Sequence, residues 1–158
     1  MRITNPYAMI LQSAVGLEQK GGGVKRALID TNIVSMFLRG HPEVKARTLK
    51  YVSTLGPPFL SVITRYEILS GLAHRDAHRQ LRRFQEFSQV CIVCPLTEDV
   101  VQTAARIYAQ QRKKGKPIDD LDILIAATAM ANGLVVVTRN RKHFDRIEGL
   151  AVEDWSEP

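Results

Sequence analysis

The chain of 158 residues has only two cysteines, Cys91 and Cys94, too few for a disulfide framework. Their C-x-x-C spacing does not rescue a redox or zinc site. The stretch Val90-Cys91-Ile92-Val93-Cys94-Pro95 reads as a buried strand, in which positions three apart point to opposite faces. His74 and His78 precede the pair, whereas zinc fingers put the cysteines first, and no aromatic knuckle pattern surrounds them. A membrane span is also missing, because no apolar run approaches the roughly 20 residues one needs. A secretory leader is not indicated either: Tyr7 to Leu17 is interrupted by Gln12, Ser13 and Gly16, so a cytoplasmic location is the expectation. Gly16 and Gly21 have the first spacing of a phosphate-binding loop, yet Gly22 stands where its lysine belongs. Finally, acid is scarce relative to base. Sixteen Asp and Glu face 22 Lys and Arg, a formal charge of +6, which favours a polyanionic partner such as nucleic acid or an acidic protein.

What is present is the composition of an ordinary soluble domain, 45% hydrophobic and 24% charged, long enough to bury one core unaided. Residues 1–24 have weak periodicity and run into Lys20-Gly21-Gly22-Gly23, so they are expected to be a flexible extension. A purine-rich ribosome site before a GTG start would also read as a glycine run, which makes Val24 a second candidate start. Residues 25–158 form the domain. There, apolar runs alternate with helical patterns, the signature of βα units and a parallel sheet. Strands are expected at Arg26 to Ile29, Phe59 to Ile63, Cys91 to Cys94 and Leu134 to Val137, with an edge strand at Leu150 to Val152. Helices are expected over Asn32 to Leu38, Pro42 to Leu55, Arg65 to Ala73, Arg75 to Gln89, Thr97 to Lys114 and Asp119 to Asn132.

Asp30, Glu67 and Asp122 each stand where an apolar run gives way to a polar turn or helix start. Packing does not explain them, because an unpaired buried carboxylate is costly. In an open parallel sheet these edges line one crevice. Asp119 shares a helix face with Asp122 three residues on, and Asn140 stands at the end of the fourth strand. Oxygen donors without cysteine or histidine suit a hard cation, Mg²⁺ or Mn²⁺. Beside a basic surface, such a cation suggests phosphodiester hydrolysis. Blander readings exist for each residue. Asp30 could shape a turn with Thr31 and Asn32; Glu67 could complete a capping box begun by Thr64; Asp122 could be a helix N-terminal charge; Asn140 could form a turn. The arginine face Arg75, Arg79, Arg82 and Arg83 reads more readily as a solvated helix surface than as an RNA track.

Four segments in order carry a resemblance: Leu28-Ile29-Asp30-Thr31-Asn32, then Arg65-Tyr66-Glu67-Ile68-Leu69-Ser70-Gly71-Leu72, then Asp119 to Ala129, and finally Val137-Thr138-Arg139-Asn140-Arg141-Lys142-His143-Phe144. Together they resemble the motifs of PIN-domain ribonucleases, and among these the VapC-like toxins of type II toxin-antitoxin pairs. The resemblance spans Lys25 to Trp155. It implies a three-layer αβα fold around a mainly parallel sheet of roughly five strands, and Mg²⁺-dependent (or Mn²⁺-dependent) cleavage of RNA. A cognate antitoxin and a homodimer are also implied. By motif position Asp30, Glu67 and Asp122 match the metal-binding acids and Asp119 an accessory one. Asn140 takes the fourth place, often an aspartate, with Asp145 as an alternative source of charge. Thr31, Asn32 and Thr138 match accessory positions.

Two rivals belong to other classes. A phosphatase working through an aspartyl-phosphate would want a second aspartate at position 32, where this chain has Asn32. A non-catalytic RNA-binding module would keep the basic surface and need none of the acids.

Overall fold

The computed structural model describes residues 5–8 and 25–158. Five short strands, β1 (Ala27–Ile29), β2 (Phe59–Ser61), β3 (Ile92–Cys94), β4 (Val135–Val137) and β5 (Val152–Glu153), form one sheet in the order β3-β2-β1-β4-β5. Every pairing is parallel. The chain steps outward from β1 to β3 and then returns to β4 on the other side of β1. The strand order therefore reverses at the β1–β4 boundary, and a crevice opens beyond the carboxyl ends of those two strands.

Among the described residues seven helices cover the sheet: α1 (Thr31–Leu38), α2 (Pro42–Leu55), α3 (Val62–His74), α4 (His78–Val90), α5 (Glu98–Lys113), α6 (Asp120–Ala131) and the single turn α7 (Arg141–Phe144). Alternation along β1 assigns them to two layers. Ala27 and Ile29 enter a core with Ile33, Val44, Ile68 and Phe84 from α1 to α4. Leu28 points the other way, into a core with Val100, Ile125 and Phe144 from α5 to α7. Because both faces are covered, β1 and β4 read as unbroken apolar runs rather than alternating ones. Deleting the Leu28 side chain, fully buried between the layers, would cost about 2–5 kcal/mol. The two thiols sit on opposite faces as expected, Cys94 within the second core and Cys91 packed against the first. Both are free, and burial pushes both above the ordinary thiol pKa, so neither is primed as a nucleophile.

Several boundaries differ from the sequence expectation. β2 ends at Ser61, whose register partner is Cys94, and α3 starts at once. The Ser61 hydroxyl accepts the Thr64 N–H at 2.9 Å, so Ser61 is the N-cap and Thr64 lies buried inside the first turn. Glu67 thus belongs to the second turn, and the Thr64–Glu67 capping box does not form. The next helix begins at His78 instead of Arg75, because Asp76 takes a left-handed φ of 49°, which breaks helical continuity. The last strand starts two residues later than expected and ends one later, pairing Val152 with Val136. Beyond it, Trp155 packs on Tyr51 with ring centroids 5.4 Å apart, and the Tyr51 hydroxyl accepts the Ala27 N–H at 2.9 Å. The carboxyl end of the domain is thereby tied to the start of β1.

Of the expected extension, the described residues 5–8 sit against α1 and α4. The Tyr7 ring lies 5.8 Å from that of Phe37 and 5.6 Å from that of Phe87, and Asn5 Nδ2 donates to the Glu86 carbonyl at 2.8 Å. Residues 1–4 and 9–24, and with them most of the segment expected to be flexible, lie outside the described residues.

Candidate active site at the β1–β4 edge

Asp30 follows β1 directly and is the N-cap of α1. Its backbone N–H is held by the Val137 carbonyl of β4 at 2.9 Å, which fixes the carboxylate at the reversal point. Only 3% of its surface is exposed. Oδ1 accepts the Thr31 N–H at 2.7 Å, while Oδ2 accepts from the Thr138 hydroxyl at 2.7 Å and from Asn32 Nδ2 at 3.1 Å. Burial pushes its pKa up to about 6; the bonds from Thr138 and Thr31 oppose that rise, and the charges of Asp122 and Glu67 add to it. The turn reading of Asp30 and the site reading are both realised, since one carboxylate caps the helix and faces the other acids.

Thr31, Asn32, Thr138 and Asn140 knit the two strand ends together. Asn32 Oδ1 accepts the Arg139 N–H at 3.0 Å, and Thr138 Oγ1 accepts the Asn140 N–H at 2.9 Å. Thr138, fully buried, hence donates to Asp30 and accepts from Asn140, so one hydroxyl links the first acid to the fourth corner.

The helix-borne acids approach from the other sides of the crevice. Glu67 Oε1 accepts the Thr31 hydroxyl at 2.7 Å. Burial raises its pKa first, the Thr31 bond lowers it, and the charges of Asp122 and Asp119 raise it further. Asp122 Oδ2 accepts Asn140 Nδ2 at 3.0 Å and meets His143 Nδ1 at 2.7 Å. The imidazole therefore carries its proton on Nδ1 when it donates to that oxygen. Asp119 is exposed and is the N-cap of α6, accepting the Leu121 N–H at 3.0 Å. Asp145 is drawn away, bound through both oxygens to Arg141 at 3.0 and 3.1 Å.

Asp30, Glu67, Asp122, Asn140 and the accessory Thr31, Asn32 and Thr138 are thus brought to one place, with Asp119 at its rim. His143, the one histidine that the sequence places just past a strand end, joins this group through Asp122. The available signal was its spacing, three residues beyond Asn140 and on the same helical turn.

Among the described residues no three His, Cys, Asp or Glu side chains are already gathered into a metal cage. The donor set nevertheless fits a hard cation. Its donors are oxygens, and the neighbouring carboxylates are close enough to add to the raised pKa of Asp30 and of Glu67. Among the described residues, none of Asp30, Glu67 and Asp119 has a Lys or Arg partner. Uncompensated negative charge of this kind is what a divalent ion relieves.

A groove of about 520 Å³ begins one helical turn beyond Thr31, between α1, α3 and α4. Leu38, Ile68 and Leu72 line it together with Arg39, Arg75 and Arg83. Two members of the expected arginine face therefore line a concavity rather than a plain solvated surface. Among the described residues no helix is long and apolar enough to cross a membrane.

The PIN domain family model matches residues 27–150, from the first residue of β1 to just short of β5. Ribonuclease VapC1 of Methanocaldococcus jannaschii is 30% identical over 131 residues, covering 82% of this chain and 88% of the relative. The tRNA(fMet)-specific endonuclease VapC of Salmonella typhimurium is 32% identical over 131 residues, covering 81% and 96%. Among solved structures, DNA-bound VapBC from Salmonella typhimurium superimposes with a TM-score of 0.75 at 29% identity, covering 84% of this chain and 99% of that one. With the acids, the strand reversal and these relatives in agreement, the chain belongs to the PIN-domain family of nucleases, on its VapC ribonuclease branch.

Proposed function

We propose that this protein is the toxin of a toxin-antitoxin pair and hydrolyses RNA phosphodiester bonds with Mg²⁺, or Mn²⁺, at the β1–β4 edge. The observation that carries the reading is buried Asp30, without a Lys or Arg partner among the described residues, with Glu67 and Asp122 facing it. Asp30, Glu67 and Asp122 would hold the ion, with Asp119 contributing from the rim. A bound divalent ion supplies a water of lowered pKa and charge stabilisation at the phosphate.

The rest is the work of the chain's own residues. Thr138 and Asn32 orient Asp30 Oδ2, and Thr31 orients Glu67. Asn140 holds Asp122 and presents a neutral amide where an aspartate would add repulsion. Asn140 also bears on the metal count, because a neutral fourth corner weakens a second site.

The groove between α1, α3 and α4 supports the partner part of the reading. Its apolar floor and arginine rim match an amphipathic segment bearing acidic side chains, the chemistry expected of a cognate antitoxin that silences the basic, RNA-seeking surface. A homodimer and a cytoplasmic location belong to the same reading. The deciding experiment incubates the purified chain with cellular RNA in Mg²⁺, with and without EDTA, beside Asp30→Ala. Cleavage that needs the ion and the acid is expected. Undiminished cleavage in EDTA would overturn the metal mechanism, and ion-independent binding without cleavage of any RNA would favour the binding module.

A further inference from the structure

A second concavity, of about 440 Å³, lies between the α1–α2 turn and the β4–α7 turn, lined by Met36, Arg39, Gly40, His41, Pro42 and Arg139. Its lining holds two guanidiniums and an imidazole, and no carboxylate. Arg39 and Arg139 are both exposed, and among the described residues neither is in an ion pair. Helix α2 opens beside it with Pro42 in its first turn and without a side-chain cap, because His41 makes no capping bond. The α2 N-terminus thus adds positive potential and unclaimed N–H groups. The side chain of His41 is half-buried, and among the described residues its buried Nδ1 atom has no hydrogen-bond partner. Glu43 in the first turn of α2 is not among the lining residues.

The position of this concavity matters as much as its charge. Arg139 stands between Thr138 and Asn140, and its N–H is fixed by Asn32 Oδ1 at 3.0 Å. Asn32 in turn donates to Asp30. The guanidinium of Arg139 therefore starts from the same rigid strand end as the acid centre, which its carboxylates would make repellent to a polyanion. An RNA strand crossing that centre needs a nearby cationic seat to offset the repulsion.

We propose that Arg39, His41 and Arg139, with the α2 N-terminus, seat a backbone phosphate of the RNA strand that lies across the acid centre. The proposal rests on the ribonuclease reading and adds to it a positioning subsite outside the acids. Such a contact carries no base information and sets register.

The test measures binding of a fluorophore-labelled single-stranded RNA of mixed sequence in EDTA, over a range of salt concentrations. Arg39→Gln with Arg139→Gln should weaken binding roughly tenfold and reduce the slope of log K against log salt by roughly 0.7 for the phosphate released. Arg139→Gln alone should show part of both effects, and Arg39→Lys with Arg139→Lys should restore most of the slope. An equal charge loss elsewhere, Lys50→Gln with Lys113→Gln, should leave affinity near the parental value. Parental affinity and slope in the double glutamine variant would overturn the subsite while leaving the nuclease reading intact. Equal losses in the lysine control would reduce it to bulk charge and overturn it as well. Displacement of the RNA by an oligo-glutamate peptide at equal concentration would mark the concavity as a seat for acidic protein instead, and inorganic phosphate competing as strongly as RNA would mark a free-anion site. A parental chain that neither binds nor cleaves RNA would overturn both readings together.

Discussion

The two halves of the acid centre are built differently. The half at the strand ends, Asp30 and Thr138, is buried and, with Asn32 of α1 beside it, closely bonded: Asp30 alone accepts three hydrogen bonds. The half carried on helices, Glu67 in the second turn of α3 with Asp119 and Asp122 at the start of α6, is half-buried or exposed and more sparsely held. A strand end inside a parallel sheet has its backbone fixed by neighbours on both sides, so a side chain there is preorganised. The helix-borne acids have no such strand neighbours, and with fewer bonds and more exposure they are less constrained toward an incoming ion or substrate. The contrast suggests a fixed anchor and an adjustable clamp, the arrangement expected when a site must accept both a small ion and a bulky polymer.

The largest effect should come from removing an acid of either half. Asp30→Ala and Asp122→Ala are each expected to reduce RNA cleavage by about 10³-fold or more, as loss of preorganised transition-state charge control does, with the circular dichroism spectrum unchanged. A mild loss in Asp122→Ala beside a complete one in Asp30→Ala would break the idea that both halves serve one reaction.

Next is the support of the fixed half. Thr138→Val removes the hydroxyl that donates to Asp30 and accepts from Asn140, so cleavage should fall by about 10–100-fold and stability by about 1–3 kcal/mol. A urea melt and a cleavage time course measure the two separately. If Thr138→Val lowered stability and left cleavage untouched, the bonded anchor would be structural only.

The pH dependence of stability sharpens the same contrast. In metal-free protein the native pKa of Asp30, about 6, lies above its ordinary value of 3.8, so the native state binds more protons between those values. Stability should therefore fall as pH rises from about 4 to 6 and level off above, by at most about 3 kcal/mol from this group. Asp30→Asn should flatten that fall, and Mg²⁺ should offset it in the parental chain. Thermal melts from pH 4 to 8 in chelator check this, and a curve rising through that window in the parental chain but not in Asp30→Asn would refute the assignment.

The smallest effect is expected at Asp119. Asp119→Asn keeps a side chain able to cap α6 and alters an exposed rim position, so cleavage should change by only a few fold. A loss as deep as that of Asp30→Ala would move Asp119 from the rim into the clamp.

How far the sequence revealed this arrangement depended on whether each feature was local. Asp30 was legible because an acid at the end of Ala27-Leu28-Ile29 has no packing role, and Asp122 because it shares a helix turn with Asp119. The start of α3 was not legible, because Ser61 and Thr64 are both hydroxyls three residues apart and either can cap. The pairing of Ser61 with Cys94 on β3 decided it, a contact between residues 33 apart in the chain. His143 was only partly legible for a similar reason. Its place three residues past Asn140 is a local cue, but its contact with Asp122 joins two segments 21 residues apart.

By itself the sequence determined the alternation of strands and helices, the parallel sheet, and which acids and amide would stand at its carboxyl edge, because side-chain periodicity and the cost of burying charge act within a few residues. Only the tertiary structure decided which hydroxyl caps α3, which oxygen of Asp30 faces Thr138, that His143 joins Asp122, and that Arg39 and Arg139 share one concavity. These depend on distances between segments far apart in the chain, and such distances are set by how the two layers pack on the sheet.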